Sequence, residues 1–345
     1  MLKQPSTRIL GALLGISVLT GTVQAAEWKF AIEEITGSVQ DRYAQEFKRL
    51  IEEKSDGAIT VTVYPYGSLG TSAELTELVQ IGAVQLANAS PGHLGSLVPE
   101  VQVFSIPYLL SENNDVNKQV LTESEVIYGP IAEALERREL RLLTMYPEGD
   151  MVWTANKPIR SPEDFNNFRI RTMVSPMLVS AYEAFGASPT PMPYGEVYGG
   201  LQLGSIDGQV NPIFAIEEMK FYEVQDYMIW AGQQQFTTTV VAGDDWYHFM
   251  LSDEERAMLD ETIAELADFI MDVQEEYNQE RLDKILADKP DMQLIELTEE
   301  ERAVFRERSM AVRDKFIDMV GESGRTVLEG LLAEFEAAEA ALSGY

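Results

Sequence analysis

The residues of this chain best suited to chemistry are arginines and carboxylates. In Phe168-Arg169-Ile170-Arg171-Thr172-Met173-Val174-Ser175-Pro176, the residues Phe168, Ile170 and Thr172 alternate with Arg169, Arg171 and Met173 as in a short strand. Ser175-Pro176 then opens a helical pattern that runs to Phe185. A guanidinium at the mouth of such a strand can hold a carboxylate through two parallel N–H bonds, which the point charge of a lysine does less well. Two alternatives are open on this stretch alone: an anion clamp, or two surface arginines paired with neighbouring acids. Glu33 and Glu34, just past the strand Trp28–Ile32, could serve as catalytic acids of a periplasmic hydrolase, but no nucleophile or second base stands at a recognisable spacing. His93, after Pro91-Gly92, is a candidate to face the same cleft.

Other chemistries have no residues to carry them. The chain has no cysteine, which excludes thiol catalysis and disulfides. Its two histidines, His93 and His248, sit at no metal-binding spacing, and no G-x-S-x-G, P-loop, G-x-G-x-x-G or calcium loop is present. No cofactor, no metal and no catalytic residue are therefore expected. With 26 Lys+Arg against 57 Asp+Glu the formal charge is −31, which makes nucleic acid and anionic membrane surfaces poor partners. Such acidity suits salty surroundings, where screening shortens the reach of self-repulsion to a few Å.

The elements that would position these groups follow from periodicity. Lys3 and Arg8, an apolar run from Ile9 to Val23 and Ala25-Ala26 form the pattern of an export signal, so residues 1–25 are expected to be removed. The run is short for a span of about 20 residues, and no later segment is apolar enough to cross a bilayer. Trp28–Ile32, the helical pattern Val39 to Ile51 and Ile59 to Tyr64 make a strand–helix–strand unit with parallel strands. Val84 to Ala89 and Leu140 to Tyr146 read as further strands, and Pro147-Glu148-Gly149-Asp150 as a crossover to a second lobe. There Tyr227–Trp230 and Phe236–Val241 read as two separate strands. Ser252-Asp253-Glu254-Glu255 caps a helix that runs to about Asp288, some 36 residues or ~54 Å, long enough to lie across both lobes. The Ala- and Glu-rich remainder reads as solvated helix, and no internal repeat is visible. Ligands in such sheets bind beyond the carboxyl ends of parallel strands, the edge on which Glu33-Glu34, Tyr66 and Ser90-Pro91 fall.

Four segments together resemble the extracytoplasmic solute receptors of tripartite ATP-independent periplasmic (TRAP) transporters. They are Tyr64-Pro65-Tyr66-Gly67-Ser68-Leu69-Gly70, Phe104-Ser105-Ile106-Pro107-Tyr108-Leu109, Ile170-Arg171-Thr172-Met173 and Ile206-Asp207-Gly208-Gln209-Val210-Asn211-Pro212. The resemblance implies an α/β, two-lobed periplasmic binding protein fold with hinge strands and a long helix spanning both lobes. On that reading lobe 1 is 26–149 plus 238–275, and lobe 2 is 150–237 plus 276–345. It implies a small organic carboxylate or zwitterion as ligand and the TRAP membrane permease subunits as partners. It also selects between the arginines: Arg171 falls on the family's carboxylate clamp, and Arg169 stays an ordinary paired arginine. Asn211 falls on the ligand-orienting amide.

Within the family, Glu33-Glu34, Met145-Tyr146-Pro147-Glu148-Gly149, Ser161-Pro162-Glu163-Asp164-Phe165 and Pro193-Tyr194-Gly195-Glu196-Val197-Tyr198-Gly199-Gly200 resemble the ectoine and hydroxyectoine receptors of halophilic bacteria. That likeness implies that Glu34 takes a delocalised cation while the ring lies between aromatic faces, with Tyr66, Tyr194 and Phe214 as candidates. The chain departs from the pattern where Tyr194 replaces a tryptophan and Ala215 an aromatic residue, so the implied ligand is a carboxylate with a cationic or polar ring. The rivals are a dicarboxylate or sugar-acid receptor, the hydrolase, and a sensor that feeds a kinase.

Overall fold

A computed structural model describes residues 25–342, so all but the last residue of the expected signal segment lies outside the described residues. The first elements are β1 (Ala26–Ala31), α1 (Val39–Lys54), β2 (Ile59–Tyr64), α2 (Ser72–Gln80), β3 (Leu86–Ala89), α3 (Pro91–Leu94), α4 (Asn114–Glu123), α5 (Ala132–Glu136) and β4 (Leu140–Ala155). After them come β5 (Arg169–Thr172), α6 (Pro176–Ala184), β6 (Ser188–Pro191), α7 (Val197–Gln202), β7 (Gly208–Asn211), α8 (Ile213–Glu218) and β8 (Tyr227–Gly243). The chain closes with α9 (Asp253–Asp288), β9 (Gln293–Glu296), α10 (Glu299–Val320) and α11 (Glu322–Leu342).

Local signals account for the main starts. The Ser38 hydroxyl accepts the Asp41 N–H at the head of α1, and Ser252 with Glu255 forms a reciprocal capping box at the head of α9. Val39, Tyr43, Phe47 and Ile51 of α1 are fully buried, and Phe47 meets Phe30 of β1 edge to face at 5.3 Å. That stripe at helical spacing packs the helix on the sheet.

The strands form one path in the order β2-β1-β3-β8-β4-β7-β5-β6, with β9 beside β8. β1 is parallel to β2 and β3, and β5 is parallel to β6 and β7, so each end of the path is a small parallel sheet. The long antiparallel pair β4–β8 belongs to both. Two expectations are corrected here. Pro147–Asp150 is no crossover loop but part of β4, and Tyr227–Trp230 and Phe236–Val241 are the two ends of β8. Register shifts between Pro147/Gly149 and between Asp150/Val152 absorb the turn-like residues as bulges.

The 36-residue α9 joins the two halves. Leu259, Ile263, Leu266 and Ile270 share a core with α1, whereas Ile285 is buried with Ile213 and Phe221 near α8. Tyr277 lies between two guanidinium groups, Arg42 of α1 at 4.2 Å and Arg281 of α9 at 4.4 Å. The C-terminal region is also corrected. Expected as solvated helix, α11 buries Val327, Leu328, Leu331 and Phe335 in the core that holds Val120 and Leu121 of α4.

Candidate functional site

The carboxyl ends of β1, β5 and β7 face one another across a cleft lined by Glu33, Glu34, Arg171 and Asn211. β5 and β7 supply Arg171 and Asn211, and the loop after β1 supplies Glu33 and Glu34. Gln40 of α1, Ser72 of α2 and His93 of α3 complete the first wall.

Arg171 is 1% exposed. Its Nε and Nη2 both donate to the carbonyl of Met192, at 3.0 and 2.9 Å. No carboxylate among the described residues pairs with it. Burial pulls its pKa down to about 10, and the phenols of Tyr194 and Tyr66 only partly oppose this. In a chain with 57 acids, a buried guanidinium without a counter-ion is a site made for an anion. Arg169, the first residue of β5, is exposed and binds Asp207 through Nε at 2.9 Å and Nη2 at 2.6 Å. The two arginines share a face of β5, and position along the strand separates their roles: Arg169 opens it at the surface and Arg171 lies at its buried carboxyl end.

Asn211 is 8% exposed, and its Nδ2 donates to Gln209 Oε1 at 2.5 Å, which orients the amide at the cavity edge. Tyr194 lines the cavity and meets Tyr66 edge to face at 5.9 Å. Phe214 does not line it. Its ring is fully buried and faces Tyr277 at 6.3 Å, and its N–H donates to Asn278 Oδ1 at 3.1 Å. The position facing the cavity is Ala215, one residue on, and the second aromatic wall is Phe236 of β8. Phe214 was a candidate through the family likeness, and only the phase of α8 reveals which neighbour turns inward.

The opposite wall is acidic. Glu33 is committed locally: Oε2 accepts the Ser90 N–H at 2.9 Å and Oε1 lies 3.0 Å from His93 Nδ1. Glu34 accepts the Gln40 N–H at 3.2 Å, and Gln40 Nε2 donates to Glu148 Oε1 at 2.9 Å. Burial pushes the Glu34 carboxyl well above its usual range, and the neighbouring Glu148 pushes it further. Burial likewise raises Glu148 to about 7. Sequence reasoning passed over Gln40, Glu148 and Phe236. For Glu148 a signal existed, since a lone glycine inside a strand pattern marks a bulge.

The arrangement is dipolar. One wall offers a cationic clamp and an amide, the other buried carboxylates, with aromatic faces between.

Comparison with known proteins agrees with this geometry. Residues 30–318 match the family described as bacterial extracellular solute-binding protein, family 7. The chain is 42% identical over 343 residues, 99% of either chain, to the ectoine-binding periplasmic protein TeaA of Halomonas elongata. It is 41% identical over 327 residues to the ectoine/5-hydroxyectoine-binding periplasmic protein UehA of Ruegeria pomeroyi, covering 94% of this chain and 96% of that one. The solved structure of the periplasmic ectoine-binding protein from the TeaABC TRAP transporter of Halomonas elongata superposes with a TM-score of 0.87 at 43% identity, covering 90% of this chain and 99% of that one.

Proposed function

Because the chain belongs to family 7 of the bacterial extracellular solute-binding proteins, we propose that it is a periplasmic receptor of a TRAP transporter whose ligand is ectoine or hydroxyectoine. The observation that carries this reading is the buried, uncompensated Arg171 facing a buried acidic wall. The ligand carboxylate goes to the guanidinium edge left free by Met192, braced by Asn211. The delocalised cation goes to Glu34, and the ring lies between Tyr194 and Phe236, with Tyr66 holding Tyr194 in place. A dicarboxylate or sugar acid fits less well, since its second polar end would meet Glu34 with no cation to balance it. The relatives carry the names of binding proteins for transport, and Glu33, the other acid offered to a hydrolase, is bound to Ser90 and His93.

The lobes of this reading meet at β4 and β8, and closing them brings the Glu34 wall onto the Arg171 wall. Ligand contacts to both walls favour the closed form, which is the form presented to the permease, because a ligand shifts such an equilibrium only by its differential affinity. Export requires removal of residues 1–25, and mass spectrometry of the protein isolated from the periplasm checks that boundary. The acidity, −31 in all, suits a saline habitat. Calorimetric titration with ectoine, hydroxyectoine and succinate tests the ligand. Binding of the two zwitterions and silence from succinate is the expected result. Binding of succinate alone would transfer the reading to a dicarboxylate receptor.

A further inference from the structure

Glu148 occupies an unusual place for a carboxylate. It is fully buried, it is the extra residue of the bulge between Pro147 and Gly149, and Oε1 accepts from Gln40 while Oε2 has no partner. A bulge re-aims the side chain it carries, and here it turns Glu148 from the β4–β8 ladder toward Glu34. The backbone holds that geometry from behind. Asn278 Nδ2 donates to the Glu148 carbonyl at 2.8 Å, and Gly149 has φ +128.

The surroundings supply no compensating cation. Gln40 is the amide between the two carboxyls, donating its N–H to Glu34 and its side chain to Glu148. From the neighbouring elements Glu33 and Glu218 add further negative charge on Glu148. Tyr43 of α1 and Tyr146 of β4 stack at 4.7 Å beside the pair, and Tyr194 faces Glu34 from the other wall. His93 is turned to Glu33, Arg281 to Glu217 and Tyr277, and Arg171 lies on the cavity's far wall. Two adjacent buried carboxyls in such a setting cannot both ionise.

Resting on the zwitterion reading above, we propose that Glu148 is a specificity-determining residue: with Glu34 it forms a pair that holds one proton in the unliganded receptor and surrenders it when a ligand cation docks on Glu34. The exchange balances. One proton leaves to solvent and one delocalised positive charge enters, so the pair goes from one negative charge to two while pair and ligand cation together keep a net single negative charge. Such a site selects against ligands lacking a cation, because for them the proton stays and no charge is gained. Raising the pH removes the competing proton, so affinity for the zwitterion rises by up to about tenfold per pH unit until the pair is fully ionised.

Two measurements decide. Infrared difference spectra of the unliganded protein at neutral pH should show that Glu34→Gln and Glu148→Gln each remove the same single carboxylic-acid carbonyl band, which two independent acids would not do. Calorimetry with ectoine in buffers of different ionisation enthalpy should show about one proton released per ligand, a release absent in Glu148→Gln. If folded variants leave the infrared band unchanged, the proposal is overturned whatever ectoine does. Ectoine binding with no buffer-dependent heat also overturns it, while sparing the ligand assignment. Silence toward ectoine with the band present and lost in both variants refutes the ligand assignment and supports the proton pair.

Discussion

A guanidinium buried without a counter-ion has its value in the bound state. Arg171→Ala should weaken ligand binding by about 2–5 kcal/mol, since it strands the ligand carboxylate in a dry site. Arg171→Lys should recover only part, because a lysine cannot offer the planar fork. Calorimetry on both variants checks this, and parental affinity in the alanine variant would remove the clamp. At the opposite end of the ring, Phe236→Ala should cost about 1–3 kcal/mol of binding through lost ring contact. Phe214→Leu, in the core against Tyr277, should affect unfolding more than affinity. Arg171 and Glu34 were legible because charged residues at strand ends are conspicuous. Phe236 was not, because an aromatic residue in an apolar strand looks like core until the bulges show which side of β8 faces the cavity.

At the scale of elements the decisive feature is the pair of long strands, β4 and β8. Asn278 of α9 joins three parts there, donating to the Glu148 and Gln274 carbonyls and accepting from the Phe214 N–H. A Cβ at Gly149 would come within 2.5 Å of Asn278 Nδ2, at a φ of +128 that side chains rarely adopt. Gly149→Ala should therefore lower stability by about 1–3 kcal/mol, measured by urea denaturation, and weaken binding by displacing Glu148. An unchanged midpoint would mean that β4 relaxes around the new methyl. The strand ends were legible from alternation. Continuity through Pro147-Glu148-Gly149 was not, because proline and glycine locally signal a turn, and only pairing with Thr237 and Phe236 across the sheet overrides that signal.

For the whole molecule, charge sets the response to solvent. A formal charge of −31 repels itself, so the melting temperature of the unliganded protein should rise with sodium chloride as the Debye length falls from about 10 Å at 0.1 M to about 3 Å at 1 M. A flat response would mean that local ion pairs already neutralise the repulsion. The buried acids add a pH dependence of definite sign. An unfolded glutamate gives up its proton near 4.5, while the folded chain keeps that of Glu148 to about 7 and that of Glu218 to about 8. Above 4.5 the folded state binds more protons, Glu34 included since its carboxyl is also raised, so stability falls as pH rises through this window. Glu148→Gln should flatten the fall, as followed by thermal unfolding at constant ionic strength.

The sequence by itself determined the α/β class, the parallel strand–helix–strand opening, the helix of 36 residues beginning at Ser252, and the acidic, cysteine-free character of the chain. These depend on short-range periodicity, capping and composition, which are written in neighbouring residues. Tertiary structure alone decided that Ala215 and not Phe214 faces the cavity, and that α11 packs on α4. It also brought Glu148 to Glu34, more than a hundred residues earlier in the chain, through Gln40. The physical reason is common to all three. Which face of an element is turned inward, and which distant residue meets it there, depends on partners far away in sequence, and no local pattern records them.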